Sequence, residues 1–411
     1  MQKKCDVLII GCGIAGLVAG LELANKNLNL ILIEKHKKIG VQNQTKIDIT
    51  ESIGIETIIK KLQLPIYDKS NKSKWFSPKN QFLFESKVSD LFIKRGPETD
   101  SFDSILGKRL LKGGKIPILF EAKLEKIKFK KKLVSEVIIR KKNKKIKIIP
   151  KFVIGADGSY GKTAKLAKLN EYSKKETEIS GFGVAGKNLN IENAVTHIFF
   201  DNKFLPGGYF YVAQSKKGLG FAMAVFNKKR VGPKMKKYYH EFLSNNIIAN
   251  KIMKNYQFNG YATGSCKTAM LKSRVRNNLC LVGDAARVMD PIFGYGARQA
   301  ILSGFLAAKS IENSLKNNKK NIIDYEKTLF LELTNSEKEA HLVREVFDKL
   351  TNSDFDFLVE SANFINSKKK LDEILENPPM HLSILLHAII RKPHKSIPTL
   401  IKYVLKKIFY F

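Results

Sequence analysis

Apolar positions along the chain fall into short unbroken runs at the start and into alternating or helical spacings further on. Cys5 to Ile10 (CDVLII) and Leu30 to Glu34 (LILIE) are such runs, bounded by glycine and polar residues, and predict parallel strands buried on both faces. Between them Gly11-Cys12-Gly13-Ile14-Ala15-Gly16 predicts a turn, and Ile14 to Asn25 a helix. From Gly40 to Lys94 the pattern thins, although KSKWFSPKNQFLFES predicts two short strands around a Ser-Pro-Lys-Asn turn, with the lone Trp75 as a core residue or a substrate contact. A helix follows Arg95 in GPETDSFDSILGKRLL; strands then alternate around Leu124, Leu133 to Arg140 and Ile146 to Ile149, and Phe152 to Gly158 ends at another turn.

Glu178 to Phe226 changes character. ISGFGVAG, AVTHIFF, GGYFYVAQ and GLGFAMAVF, separated by turn signals, predict an antiparallel sheet. A basic helix is expected over Pro233 to Tyr256. The strand of Leu279, Leu281 and Val282 then turns at Gly283 and Asp284 and passes Pro291, Gly294 and Gly296. It delivers a helix with Ala297, Ala300, Ile301, Gly304 and Ala308 on one face. Helical patterns continue over Ile322 to Leu350. The expected architecture is α/β: a Rossmann-like cofactor domain split over residues 1–170 and 262–350, an inserted antiparallel substrate sheet at 171–261, and a helical C-terminus at 351–411.

Two stretches carry chemistry. G-x-G-x-x-G is a weak signal alone, but here it follows a strand, opens a helix and is answered by an acidic residue ending the next strand. Gly11 permits the tight turn, Gly13 lets a pyrophosphate approach, Gly16 lets helix and strand pack, and Glu34 suits ribose hydroxyls while disfavouring a 2′-phosphate. The second stretch, LVGDAARVMDPIFGYGARQAILSG, presents a helix N-terminus whose unpaired N–H groups suit an anionic ligand.

GDAA followed by P-x-x-G-x-G and a small-residue helix resembles the second FAD-binding motif of flavoproteins that include aromatic-ring hydroxylases and geranylgeranyl reductases. The resemblance implies that Asp284 bonds ribityl or ribose hydroxyls, that Gly294, Gly296 and Ala297 bring backbone against the isoalloxazine, and that Gly283 and Pro291 belong to the same cofactor-binding stretch. It also makes Arg95 a pyrophosphate contact, sets the backbone at Leu124 near adenine, and makes Asp157-Gly158 the family's Asp-Gly motif. The usual continuation of that motif is missing, because Gly161 and Ala164 stand where Ser and Arg are expected. The electron donor therefore stays open between NAD(P)H and ferredoxin. Gln42, Asn43 and Gln44 occupy a loop that often carries a cysteine in the reductases. Pro206 to Gly220 is similar to the geranylgeranyl reductase signature, with Tyr209 at its first aromatic and Tyr211 where Trp is usual; these two are the implied substrate-lining residues. Reduction of isoprenoid carbon–carbon double bonds is the implied activity. The alternatives are a flavin monooxygenase and a non-catalytic peripheral membrane protein on the same scaffold.

Composition changes this picture little. The net charge of +35 is almost all lysine, scattered through every segment, and no zinc knuckle, helix-turn-helix or aromatic RNP-like strand accompanies it to suggest nucleic acid. Attraction to an anionic membrane surface stays open. Cys5, Cys12, Cys266 and Cys280 form no C-x-x-C pair, which favours a reduced cytoplasmic compartment, and no metal site is implied. In the tail, Leu400, Ile401, Val404, Leu405, Ile408 and Phe409 fall on one side of a helix and Lys402, Lys406 and Lys407 on the other. That pattern fits an interfacial helix or one docked on its own domain.

Overall fold

The computed structural model describes residues 2–41, 46–112, 116–333 and 337–367. Two sheets organise them. The first runs Val275–Arg276, Leu279–Leu281, Lys144–Gly155, Gln2–Ile10, Leu30–Ile33 and Ile118–Leu119, and its four inner strands pair in parallel. Val7, Leu8, Ile9 and Ile10 are all buried, as expected for a strand covered on both faces. Helices Ile14–Ala24, Phe102–Leu111 and Ala297–Lys316 cover one face. The hairpin of Ala122–Lys130 and Leu133–Lys141 covers the other.

The second sheet has the order Gln257–Leu271, Tyr172–Lys187, Gly220–Asn227, Tyr209–Gln214, Val195–Phe199, Asp68–Phe76, Gln81–Arg95, Lys46–Glu51. Its strands pair antiparallel except where Val195–Phe199 meets Asp68–Phe76 in parallel, with Ile198 opposite Trp75 and Phe199 opposite Phe76. This differs from an insertion confined to 171–261. Three strands come from residues 46–95, and the last runs on to Leu271. The thin stretch joins there through Ile47, Ile49 and Phe92, which bury in the same core as Tyr209, Phe221 and Phe347.

The expected helix over Pro233 to Tyr256 is two helices, Met235–Asn245 and Ile247–Met253. Asn246 causes the break: it leaves helical geometry and its side chain accepts a hydrogen bond from the Ala249 N–H, capping the second helix. Trp75 is half-buried among Phe82, Phe200 and Phe293, with ring centroids at 6.1, 5.8 and 6.5 Å. Among the described residues no helix is long and apolar enough to cross a membrane, and all four cysteines are free thiols. Gln42 to Gln44 and the tail pattern from Leu400 to Phe409 lie outside the described residues.

Candidate functional site

A cleft of about 740 Å³ opens between the two sheets, within the range of roughly 300–1,000 Å³ typical of ligand pockets. The turns that leave the C-terminal ends of the parallel strands line it: Gly11 to Ala15, Glu34 to His36, Ala156 to Lys162, and Val282 to Asp284. Open α/β sheets bind ligands at this edge, because there the helix N-termini and the loops converge.

The first turn behaves as its glycine spacing predicts. Gly11 has φ of +104°, and a side chain there would overlap the Ala156 carbonyl; one at Gly16 would overlap the Gly11 carbonyl. Gly16 therefore packs helix on strand and does not line the cleft. At Gly13, by contrast, an added Cβ would meet nothing within 4 Å. This residue opens the Ile14–Ala24 helix with no side-chain cap and no acidic residue in the first turn. The free N–H groups and the uncrowded backbone fit a diphosphate.

Glu34 is buried, and its two carboxylate oxygens accept from the Cys12 N–H at 3.0 Å and the His36 N–H at 2.9 Å. Each oxygen keeps a second lone pair for a hydroxyl. Leu124 and Lys123 border the same end of the cleft. Asp157 accepts from the N–H and hydroxyl of Thr163 through Oδ2, both at 2.9 Å, while its Oδ1 is buried with no partner among the described residues. Burial raises its pKa and the Thr163 bonds pull against that rise. Gly161 is needed here, since a Cβ would collide with this carboxylate.

The second glycine stretch faces the first. Asp284 follows Gly283, whose φ is +56°, and lines the cleft; burial raises its pKa, opposed by a Cys266 hydrogen bond and by Arg95 and Lys46. Gly296 begins the Ala297–Lys316 helix, again with no side-chain cap and no acidic first turn. Gly294, Gly296 and Ala297 all border the cleft. Pro291, a buried residue of the same loop, does not.

Arg95 also departs from expectation. It borders the cleft, yet its Nε and one terminal nitrogen grip both oxygens of Asp103, at 2.7 and 2.8 Å, and the other donates to Asp48 at 2.8 Å. The paired carboxylates hold its charge so strongly that its pKa rises despite burial. The guanidinium is thus chiefly a clamp between the Lys46–Glu51 strand and the Phe102–Leu111 helix. Its local motif drew attention, but Asp48 lies too far back in sequence to be paired with it by inspection.

Tyr209 and Tyr211 stand on the opposite wall with Ile179, Met223 and Val225. Tyr209 donates its hydroxyl to the Phe293 carbonyl, and Tyr211 points at the Met223 sulfur, 3.7 Å away. Burial pushes both phenols up. Three carboxyls singled out by no motif gather behind Tyr295: Glu51, Asp90 and Asp290. Burial and mutual repulsion raise Asp90 to about 7 and Asp290 to about 6, the latter while accepting the Phe293 N–H.

The family described as FAD binding domain matches residues 4–327. A digeranylgeranylglycerophospholipid reductase of Methanococcoides burtonii is 26% identical, with 90% of each chain covered. Among solved structures, a geranylgeranyl bacteriochlorophyll reductase-like protein from Thermoplasma acidophilum superposes with a TM-score of 0.78 at 21% identity, over 98% of this chain and 100% of that one. A probable FAD-dependent monooxygenase from Pseudomonas aeruginosa does so at 0.67 and 14%, over 86% and 99%. These two likenesses are of fold.

Proposed function

The chain belongs to the FAD-binding-domain family and is an FAD-dependent oxidoreductase, and from that premise we propose that it reduces carbon–carbon double bonds in isoprenoid lipid chains. One observation carries the reading: the cleft has a polar wall built of two glycine turns and an apolar wall built of Tyr209, Tyr211, Ile179, Met223 and Val225. A substrate on that wall is bound by area and shape rather than by hydrogen bonds, as a hydrocarbon chain requires.

Reduced FAD supplies a hydride equivalent. When it is bound, the turns at Gly13 and Gly296 would hold its phosphates and ring, and Glu34 and Asp284 would accept from its hydroxyls. The apolar wall would exclude water and hold a chain close to the bound cofactor, since an isolated alkene accepts hydride only when closely positioned. The second carbon needs a proton. Tyr209 is a poor source, with its hydroxyl engaged by a backbone carbonyl and its pKa raised. Asp90 beside Tyr295, raised to about 7, keeps its proton in about half of the molecules at neutral pH, whereas Asp290, raised to about 6, is mostly ionised there.

Mass spectrometry of lipids from cells expressing the protein with a reducing system tests the reading: two-hydrogen increments on polyprenyl chains are expected. Unchanged prenyl lipids together with substrate-stimulated oxygen uptake would replace it by a monooxygenase. Because such lipids are held in bilayers, the enzyme is proposed to work at an anionic membrane surface, where each lysine near the leaflet adds about 1 kcal/mol. Liposome co-sedimentation of the full chain and of one ending at Lys395 tests the tail's share. Equal binding by both would remove the tail from that role.

A further inference from the structure

The cleft reaches the surface along one edge of the second sheet. Gln257–Leu271 is the outer strand there among the described elements, and it pairs with Tyr172–Lys187 on its inner side. Its residues Ala262 to Cys266 border the cleft, and Thr263 and Gly264 among them are exposed. Large rings continue the same rim outwards. Tyr160, which also borders the cleft, is 58% exposed, Phe258 54% and Tyr261 39%. Phe258 and Tyr261 lie with ring centroids 5.4 Å apart. An ammonium stands over two of the three rings: Lys236 Nζ is 5.2 Å from the Tyr261 centroid, and Lys267 Nζ is 5.3 Å from that of Tyr160. Apolar residues exposed singly call for no partner, but three rings gathered at one mouth do. The surroundings are basic. Lys267 is matched by Glu176, whereas Lys236 pairs with no carboxylate among the described residues. Glu241 is the sole acidic residue between Lys228 and Tyr261, and Lys237 already pairs with it, which leaves Lys234, Lys251 and Lys254 exposed and uncompensated.

We propose that this rim docks on an anionic bilayer, with Phe258, Tyr261 and Tyr160 seated at headgroup level and the lysines around them on the lipid phosphates. This rests on the isoprenoid reading given above. Rings with one polar end favour the membrane–water boundary, and an ammonium beside each ring reaches the phosphates from there. The seating is shallow for a further reason. An outer strand carries unpaired N–H and C=O groups, which headgroups and their water satisfy and hydrocarbon does not. With Thr263 and Gly264 at the leaflet surface, a lipid chain passes from the bilayer into the cleft without crossing bulk water.

Phe258→Trp places a reporter on the rim of the FAD-loaded full chain, read against the wild type, whose only tryptophan is Trp75. Vesicles of phosphatidylcholine containing phosphatidylglycerol should shift its emission to shorter wavelength; phosphatidylcholine alone, or high salt, should not. Lipids brominated near the top of the acyl chain should quench it more than lipids brominated near the end. In co-sedimentation with the same vesicles, Lys236→Gln should weaken binding about fivefold, the share of one lysine at an anionic leaflet. Phe258→Ala should weaken it about tenfold. Both side chains are exposed, so both variants should fold and should reduce detergent-dispersed substrate as the wild type does. Wild-type vesicle binding by the two variants would overturn the rim and leave the C-terminal segment as the anchor. A reporter that responds to polyuridylate and not to vesicles would overturn it too, making the rim a nucleic-acid surface. Vesicle binding weakened in the variants, but with no prenyl lipid ever reduced, would leave the rim standing and defeat the proposed reaction instead.

Discussion

Gly304 lies so close to Ala15 that a Cβ on the glycine would overlap the Ala15 carbonyl oxygen. The helices that follow the two glycine turns therefore touch backbone to backbone, and this contact sets the distance between the two halves of the proposed FAD site. Gly283 reinforces it, with space for a Cβ only 3.0 Å from the Ala15 side chain. Gly304→Val should destabilise the protein by about 1–3 kcal/mol or more, as overpacked cores do, and lose flavin as the halves separate. Gly13→Ala is the contrast: its Cβ meets no protein atom, so the melting temperature of the apoprotein should hold while FAD affinity falls. Thermal melts and flavin absorbance after gel filtration check both.

Asp284→Ala should release FAD without unfolding the chain. The carboxylate faces the cleft and its loss removes a charged hydrogen bond to ligand, about 1.5–3 kcal/mol, or roughly 10- to 150-fold in affinity. Equilibrium titration of apoprotein with FAD measures the change; an unaltered Kd would exclude Asp284 from the site.

Tyr209→Phe separates positioning from proton transfer. Because the hydroxyl holds the Phe293 carbonyl, its removal should cost about 1–2 kcal/mol of stability and disturb substrate binding, leaving the pH profile of kcat unchanged. A fall in kcat of a hundredfold or more, with its basic limb lost, would instead make the phenol the proton donor.

Asp90 gives the fold a defined pH dependence. Its pKa rises from 3.8 to about 7 through burial and then through the neighbouring Glu51, which faces it across paired strands. Below about pH 4 both native and unfolded chains carry this proton. Between there and about pH 7 only the native chain keeps it, so stability falls as pH rises and levels off above. Asp90→Asn should thus raise the melting temperature little near pH 5 and substantially near pH 8. A constant difference across that interval would refute the assignment.

The βαβ unit of the first glycine turn was legible because everything it needs is local: a buried run, three glycines, a helix and Glu34 follow one another in sequence. The second motif was legible for the same reason, apart from Pro291, which serves the loop's packing. What stayed hidden was non-local. Neither the pairing of Asp48 with Arg95 nor the recruitment of residues 46–95 into the second sheet has a signature in the residues flanking it. The helix break at Asn246 is a different case, since Asn245-Asn246 before Ile247 is a capping signal a finer reading would use. Phe293 and Asp290 lay inside the quoted motif, but their importance comes from Tyr209 and the C-terminal helices, which only the fold brings to them.

The parallel pairing of Asp68–Phe76 with Val195–Phe199 also dictates an order of events during synthesis. The earlier strand meets its partner only after about 120 further residues have been made, which at roughly 5–20 residues per second takes about 6–25 seconds. Through that interval Trp75 and Phe76 lie on a hairpin with one open edge and no cover for its apolar face. A nascent chain in this state is a natural client for chaperones that bind exposed strands, and slow translation through the lysine-rich segment between the two strands would lengthen its stay there.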